Sequence, residues 1–210
     1  MKVYFVRHGE SETNAGQIFL GTVSKLTEKG IEQANNVAKR FSDVSIDLIV
    51  SSTLKRAEAT AEIIHREIKM PIEYSDFFVE RRRPTVQIGK AKDNHEVLRA
   101  ERAILDNFAK PGFRFSDEEN FDDIKKRACE ALKYLASKKV ENILVVTHGF
   151  FMRIVMAYVA FGEKLTGREC EQFLRKFHME NTGITVLGYD EKDTKSTWWL
   201  WVWNDHAHLD

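Results

Sequence analysis

Apolar and polar positions along the chain switch between two periods. Tyr4, Phe5 and Val6 form a short continuous apolar run, as do residues 48–50 and 143–146, and each reads as a buried strand. The runs stop at Arg7, at Ser51 and Ser52, and at Thr147. Between and after them apolar residues return every three or four positions, the spacing of a helix with one buried face. Residues 26–41 place Ile31, Ala34, Val37, Ala38 and Phe41 on one such face, with Thr27 at the N-cap. Residues 53–68 do the same with Leu54, Ala57, Ala61, Ile64 and Ile68. Two amphipathic helices follow at 97–108 and 121–136, and a third at 150–160 after the last apolar run. The end of the chain reads as an antiparallel pair, residues 183–190 and 196–204.

Alternation of strands and helices predicts an α/β fold: a three-layer α/β/α sandwich with a mostly parallel central sheet and an antiparallel C-terminal strand. With 210 residues and no repeats or low-complexity tracts, the expectation is one domain spanning 1–210. In such sheets ligands bind beyond the carboxyl ends of the strands. Here three strand ends deliver Arg7 and His8, then Ser51 and Ser52 with Arg56 just beyond, then Thr147 and His148 followed by Gly149. Chance could put one cationic pair at a strand end, but three converging pairs make a constellation.

Composition narrows what that constellation can serve. Acidic and basic residues balance at 32 each, so no global field recruits nucleic acid or a membrane. Anion binding must then be local. The apolar stretch 149–162 contains Arg153 and is too short for a bilayer, and the N-terminal run is too short for a signal peptide. Cys129 and Cys170 lack metal or redox spacing, so packed thiols and a cytoplasmic location are expected.

Two arginines and two histidines at one sheet edge suit a tetrahedral anion, because guanidinium forks match phosphate oxygens. Helix N-termini after Ser52 and Gly149 are expected to add backbone donors. A neutral imidazole is a competent nucleophile, and neighbouring arginines disfavour its protonation. The leaving alkoxide needs a proton, which points to a carboxylic acid on a loop. Glu80, after the apolar residues 77–79, is the choice over Glu73 and Glu96.

"VRHGESETN", "LTEKGIEQA", "SSTLKRAEATAEII" and "VVTHGFFMRIV" together resemble the histidine phosphatase superfamily, on its phosphoglycerate mutase-like branch. The resemblance implies that His8 becomes phosphohistidine, that Arg7, Arg56 and His148 hold the phosphoryl oxygens, and that Glu80 donates the proton. It also places Asn14 in the phosphate loop and implies no metal and no cofactor. Relatives often have a "WEG"-like element after the donor and an aspartate before "LT", whereas this chain has "RRRPTVQIGK" and "TVSKLT". These departures favour hydrolysis over mutase chemistry, since a mutase must exclude water. The alternatives are a cofactor-dependent phosphoglycerate mutase and an idle phosphate-binding scaffold.

The run Arg81, Arg82, Arg83 adjoins the donor, and Arg81 and Arg83 are candidates for a second anion on the substrate. A small phosphorylated metabolite is the expected substrate, with a phosphoprotein as the second class. Trp198, Trp199, Trp201 and Trp203 are expected to be packing residues on one strand. His206 and His208 lack a third metal ligand, and His65, His95 and His178 carry no functional mark.

Overall fold

The computed structural model describes residues 1–209. Six strands form one sheet: β1 (Lys2–Arg7), β2 (Leu48–Ser51), β3 (Ile72–Tyr74), β4 (Asn142–Thr147), β5 (Ile184–Tyr189) and β6 (Trp198–Asp205), in the order β3-β2-β4-β1-β5-β6. The first four are mutually parallel; β5 runs antiparallel to β1, and β6 antiparallel to β5. The helices are α1 (Glu12–Ala15), α2 (Glu28–Arg40), α3 (Lys55–Ile68), α4 (His95–Asp106), α5 (Phe121–Ala136), α6 (Gly149–Phe161) and α7 (Gly167–Lys176). No helix among the described residues is long and apolar enough to cross a membrane.

Strand alternation divides the core in two. Val3, Phe5, Ile143 and Val145 face α5 and α6, where they pack with Ile124, Leu135, Phe151 and Val155. Val6, Ile49, Leu144 and Val146 face α2 and α3, where they meet Ala34, Val37, Ala61 and Ile64. β1 and β4 are apolar at successive positions because helices cover both faces.

Thr27 caps α2 as its sequence predicts, accepting from the Gly30 amide at 3.0 Å. Ile31, placed on the buried face by its spacing, is instead 46% exposed. Gly30 is the residue turned inward, and a Cβ there would lie 1.9 Å from the Glu10 carbonyl oxygen. The loop after β1 presses so closely on this turn that no side chain fits between them. The short edge strand β3 has no periodic signature in the sequence. Among the tryptophans, Trp198 and Trp203 pack against the core, whereas Trp201 is 57% exposed with Lys2 over its ring. β6 is an edge strand paired to β5 alone, and Leu200 and Val202 beside Trp201 are exposed as well.

Strand order brings the site together. β2, β4 and β1 are adjacent and parallel, so Ser52, His148 and His8 emerge on one edge. β5 runs the other way, so the residues before it, Asn181 and Thr182, arrive at that same edge.

Candidate active site

His8 sits at the end of β1, 3% exposed, with its backbone amide on the Thr147 carbonyl at 2.9 Å. Its Nδ1 lies 2.6 Å from the Gly9 carbonyl oxygen, and Arg56 Nε donates to its Nε2 at 3.0 Å. A guanidinium only donates and a carbonyl only accepts, so Nδ1 carries the proton and Nε2 the lone pair. Burial, reinforced by the charges of Arg56 and Arg7, holds the His8 pKa well below the usual value. The imidazole is therefore neutral at physiological pH, with its free nitrogen toward Arg56.

Arg56, in the first turn of α3, is buried and also donates to the Gly21 carbonyl at 3.2 Å. Arg7 Nη1 donates to the Met179 carbonyl at 2.6 Å, while its Nε is buried without a partner. Gly149 lets that arginine approach, since a Cβ there would meet Arg7 Nε at 3.1 Å. Burial lowers the pKa of both arginines. Neither has a carboxylate partner among the described residues.

His148 occupies a different place from the other candidates. It is fully buried behind His8, their ring centroids 5.0 Å apart, and it does not line the cavity. Its Nε2 is 2.8 Å from Ser52 Oγ, and its buried Nδ1 has no partner. Burial and Arg56 hold its pKa well below the usual value too.

Glu80 lies at the cavity wall on the loop after a short 3-10 turn (Asp76–Phe78). Its carboxylate accepts from the amides of Phe150 at 3.2 Å, Phe151 at 3.0 Å and Arg81 at 2.9 Å. This corrects the expectation for α6: two of its N-terminal donors are spent on Glu80 rather than left open to an anion, because the loop reaches across and caps the helix from outside. At α3 the chain leaves β2 through an extended Leu54, whose amide is taken by Ser52 Oγ at 3.2 Å. The rivals of Glu80 stand elsewhere, Glu73 bonded to Tyr134 and Lys138 and Glu96 to Lys90.

A cavity of about 1030 Å³ opens over His8, lined by Arg7, Asn14, Arg56 and Glu80 among others. Arg81 and Arg83 line it as well, but differently. Arg81 stacks over Phe150 at 4.4 Å, makes no ion pair among the described residues, and has its pKa pushed down to about 10 by burial and by Arg83. Arg83 stacks over Phe19 at 4.1 Å and is paired with Glu101 at 2.9 Å. Asn14 uses its Oδ1 to accept from the Ser11 amide at 3.2 Å and from Asn181 Nδ2 at 3.4 Å.

Arg153 and Lys92 on the cavity wall, and Asn181 and Thr182 behind it, escaped the sequence reading. Arg153, one turn beyond Gly149 on α6, donates to the carbonyls of Gly149 and Leu174. Its i+4 spacing from the strand-end glycine was the available signal. Lys92 reaches the Thr13 carbonyl at 2.8 Å across a loop. Asn181 donates to the His8 carbonyl at 2.8 Å, and Thr182, held at a φ of 59°, donates its amide to the Arg7 carbonyl at 2.9 Å. Left-handed backbone at a β-branched residue is strained and persists only where its surroundings impose it. No local pattern marks Lys92, Asn181 or Thr182.

Among the described residues no group of three His, Cys, Asp or Glu side chains could hold a metal ion. His206 and His208 are engaged with the Asn204 carbonyl and Thr182 Oγ1.

The sequence profile of the histidine phosphatase superfamily, branch 1, matches residues 3–204. A protein of Hydrogenobacter thermophilus that carries the provisional name phosphoserine phosphatase 2 is 29% identical over 199 residues, covering 92% of each chain. A Salmonella arizonae protein provisionally named the phosphoglycerate mutase GpmB is 28% identical over 217 residues, covering 100% of this chain and 95% of its own. A phosphoserine phosphatase variant from Entamoeba histolytica, solved in complex with phosphoserine, superposes with a TM-score of 0.77 at 25% identity, covering 99% of this chain and 98% of that one.

Proposed function

The chain belongs to branch 1 of the histidine phosphatase superfamily, and we propose that it hydrolyses phosphate monoesters through a phosphohistidine on His8. The observation that carries this reading is the state of His8: a neutral ring, its tautomer set by the Gly9 carbonyl, its Nε2 lone pair beside Arg56 at 3.0 Å.

In the first half-reaction Nε2 attacks phosphorus and the P–O ester bond breaks. Glu80 gives its proton to the departing alkoxide. Arg7 and Arg56, which lack carboxylate partners, turn their guanidinium donors to the phosphoryl oxygens and stabilise the charge there. His148, fully buried behind His8 and off the cavity wall, backs the nucleophile rather than touching the phosphoryl group, and Asn14 extends the set of polar groups from α1. In the second half-reaction water attacks the phosphohistidine and its proton passes to Glu80. The P–N bond breaks, phosphate leaves, and His8 is restored.

The substrate class follows from the remaining charges. Arg81 faces the cavity without an ion pair, so a second anionic group on a small phosphorylated metabolite is its partner. Phosphoserine, the ligand of the Entamoeba histolytica structure, has that character. Arg83, already paired with Glu101, supports the wall more than it recognises the ligand.

The test is hydrolysis of p-nitrophenyl phosphate in the presence of a chelator by the wild type and by His8→Ala. The wild type should turn over and accumulate acid-labile phosphate on the protein, and His8→Ala should lose both. Turnover by His8→Ala would refute the reading. For the substrate class, Arg81→Ala should raise KM for phosphorylated carboxylic acids about tenfold or more while changing p-nitrophenyl phosphate little. Equal effects on both substrates would remove Arg81 from recognition.

A further inference from the structure

The loop that carries Glu80 is tied down by a charge pair that does not line the cavity. Arg127, on α5, donates through Nη1 to the carbonyls of Phe77 at 3.0 Å and Val79 at 2.7 Å. Between these, Thr147 Oγ1 donates to the Phe78 carbonyl at 2.5 Å. Three successive carbonyls immediately before Glu80 therefore each have a donor supplied by another element. The rest of the Arg127 guanidinium forks onto Glu119, with Nε to Oε1 and Nη2 to Oε2 both at 2.8 Å. Glu119 continues the tie on the far side of Glu80. Its Oε2 accepts from the Arg82 amide at 3.0 Å, and its own amide donates to the Arg82 carbonyl at 3.1 Å.

Both side chains of the pair are only 14% exposed, and the face of the guanidinium lies 4.2 Å over Phe151. The Phe151 amide is itself a donor to Glu80. Exposed ion pairs contribute little, but a largely enclosed bidentate pair with four further fixed hydrogen bonds defines one geometry for the backbone it grips. We propose that Arg127 and Glu119 are positioning residues for proton donation: the pair clamps residues 77–82 on both sides of Glu80 and sets where its carboxyl group stands over the leaving oxygen.

This rests on the reading of Glu80 as the proton donor, and the experiment separates the two. It compares kcat/KM for p-nitrophenyl phosphate with that for a simple alkyl phosphate such as phenethyl phosphate. kcat/KM reports only the steps up to departure of the alcohol, which are those of histidine phosphorylation. Nitrophenolate leaves without a proton, whereas an alkoxide needs one. The ratio of alkyl to aryl kcat/KM therefore measures proton donation, and it is independent of what fraction of a preparation is folded.

Glu80→Gln is the reference and should lower the ratio by about 10²-fold. Arg127→Lys keeps the charge but not the fork, and Glu119→Gln keeps the shape but not the charge. Each should lower the ratio about tenfold through displacement of Glu80. Adding Arg127→Lys to Glu80→Gln should lower it no further, because the group being positioned is already gone. An unchanged ratio in both single variants, with Glu80→Gln lowering it as expected, would overturn the clamp and leave the donor standing. An unchanged ratio in Glu80→Gln would overturn the donor, and the clamp with it.

Discussion

Two imidazoles enclosed in the folded chain make its stability depend on pH across a range in which carboxylates are silent. Burial first, and the Arg56 charge second, hold both His8 and His148 well below the usual value. In the unfolded chain each takes up a proton near pH 6.5. Below that pH the unfolded state binds more protons than the folded one, so stability is fully present above about pH 6.5 and is lost as pH falls toward the folded values. One proton taken up on unfolding costs about 1.4 kcal/mol per pH unit, and two cost about 2.7. That is the steepest slope the pair can contribute, and it is set against the ~5–15 kcal/mol typical of a domain. His208, whose pKa burial also lowers, acts in the same direction. The assay is urea unfolding by circular dichroism at half-unit pH steps from 7.5 to 5. His148→Gln should start from a different midpoint but show a clearly shallower slope, because one of the two buried imidazoles is gone. Parallel curves for the wild type and His148→Gln, or a flat wild-type curve, would refute the assignment of buried neutral rings.

Three further substitutions address single contacts. Arg56→Lys keeps a charge but cannot serve His8, the Gly21 carbonyl and phosphate oxygens together, so kcat/KM for p-nitrophenyl phosphate should fall about 10²-fold with an unchanged circular dichroism spectrum. Arg56→Met also removes a charge that lowers the His8 pKa, so the acid limb of the residual kcat/KM profile should move to higher pH; a limb that stays in place would contradict the coupling. Gly30→Ala would press a methyl group into the Glu10 carbonyl at 1.9 Å and push the loop that follows His8, costing about 1–3 kcal/mol by denaturant titration and lowering kcat with it. A neutral Gly30→Ala would show that this loop yields freely.

Elements with a strong period were legible in the sequence, and so was the edge at which chemistry gathers. The apolar runs of β1, β2 and β4 and the spacing in α2, α3, α5 and α6 report burial of neighbouring residues on one element, and burial is set by local pattern. Where burial depends on a distant backbone, pattern misleads: Ile31 is turned out because the Glu10 carbonyl fills the space beside Gly30. Short β3 and exposed Trp201 fail for the related reason that an edge lacks the neighbour that would impose a period or cover a ring.

Residue types at strand ends thus announced an anion site with a histidine in it, because parallel strands must present their carboxyl ends together. Which atoms of those residues are free was decided only in three dimensions. The tautomer of His8 depends on Arg56, 48 residues away in sequence, and its carbonyl is held by Asn181, 173 residues away. His148 stands behind the nucleophile rather than beside it, Glu80 caps α6 from outside, and Arg127 with Glu119 grips the loop that bears Glu80. Each of these is a contact between elements whose separation along the chain carries no periodic signal, so it exists only once the sheet has set their positions.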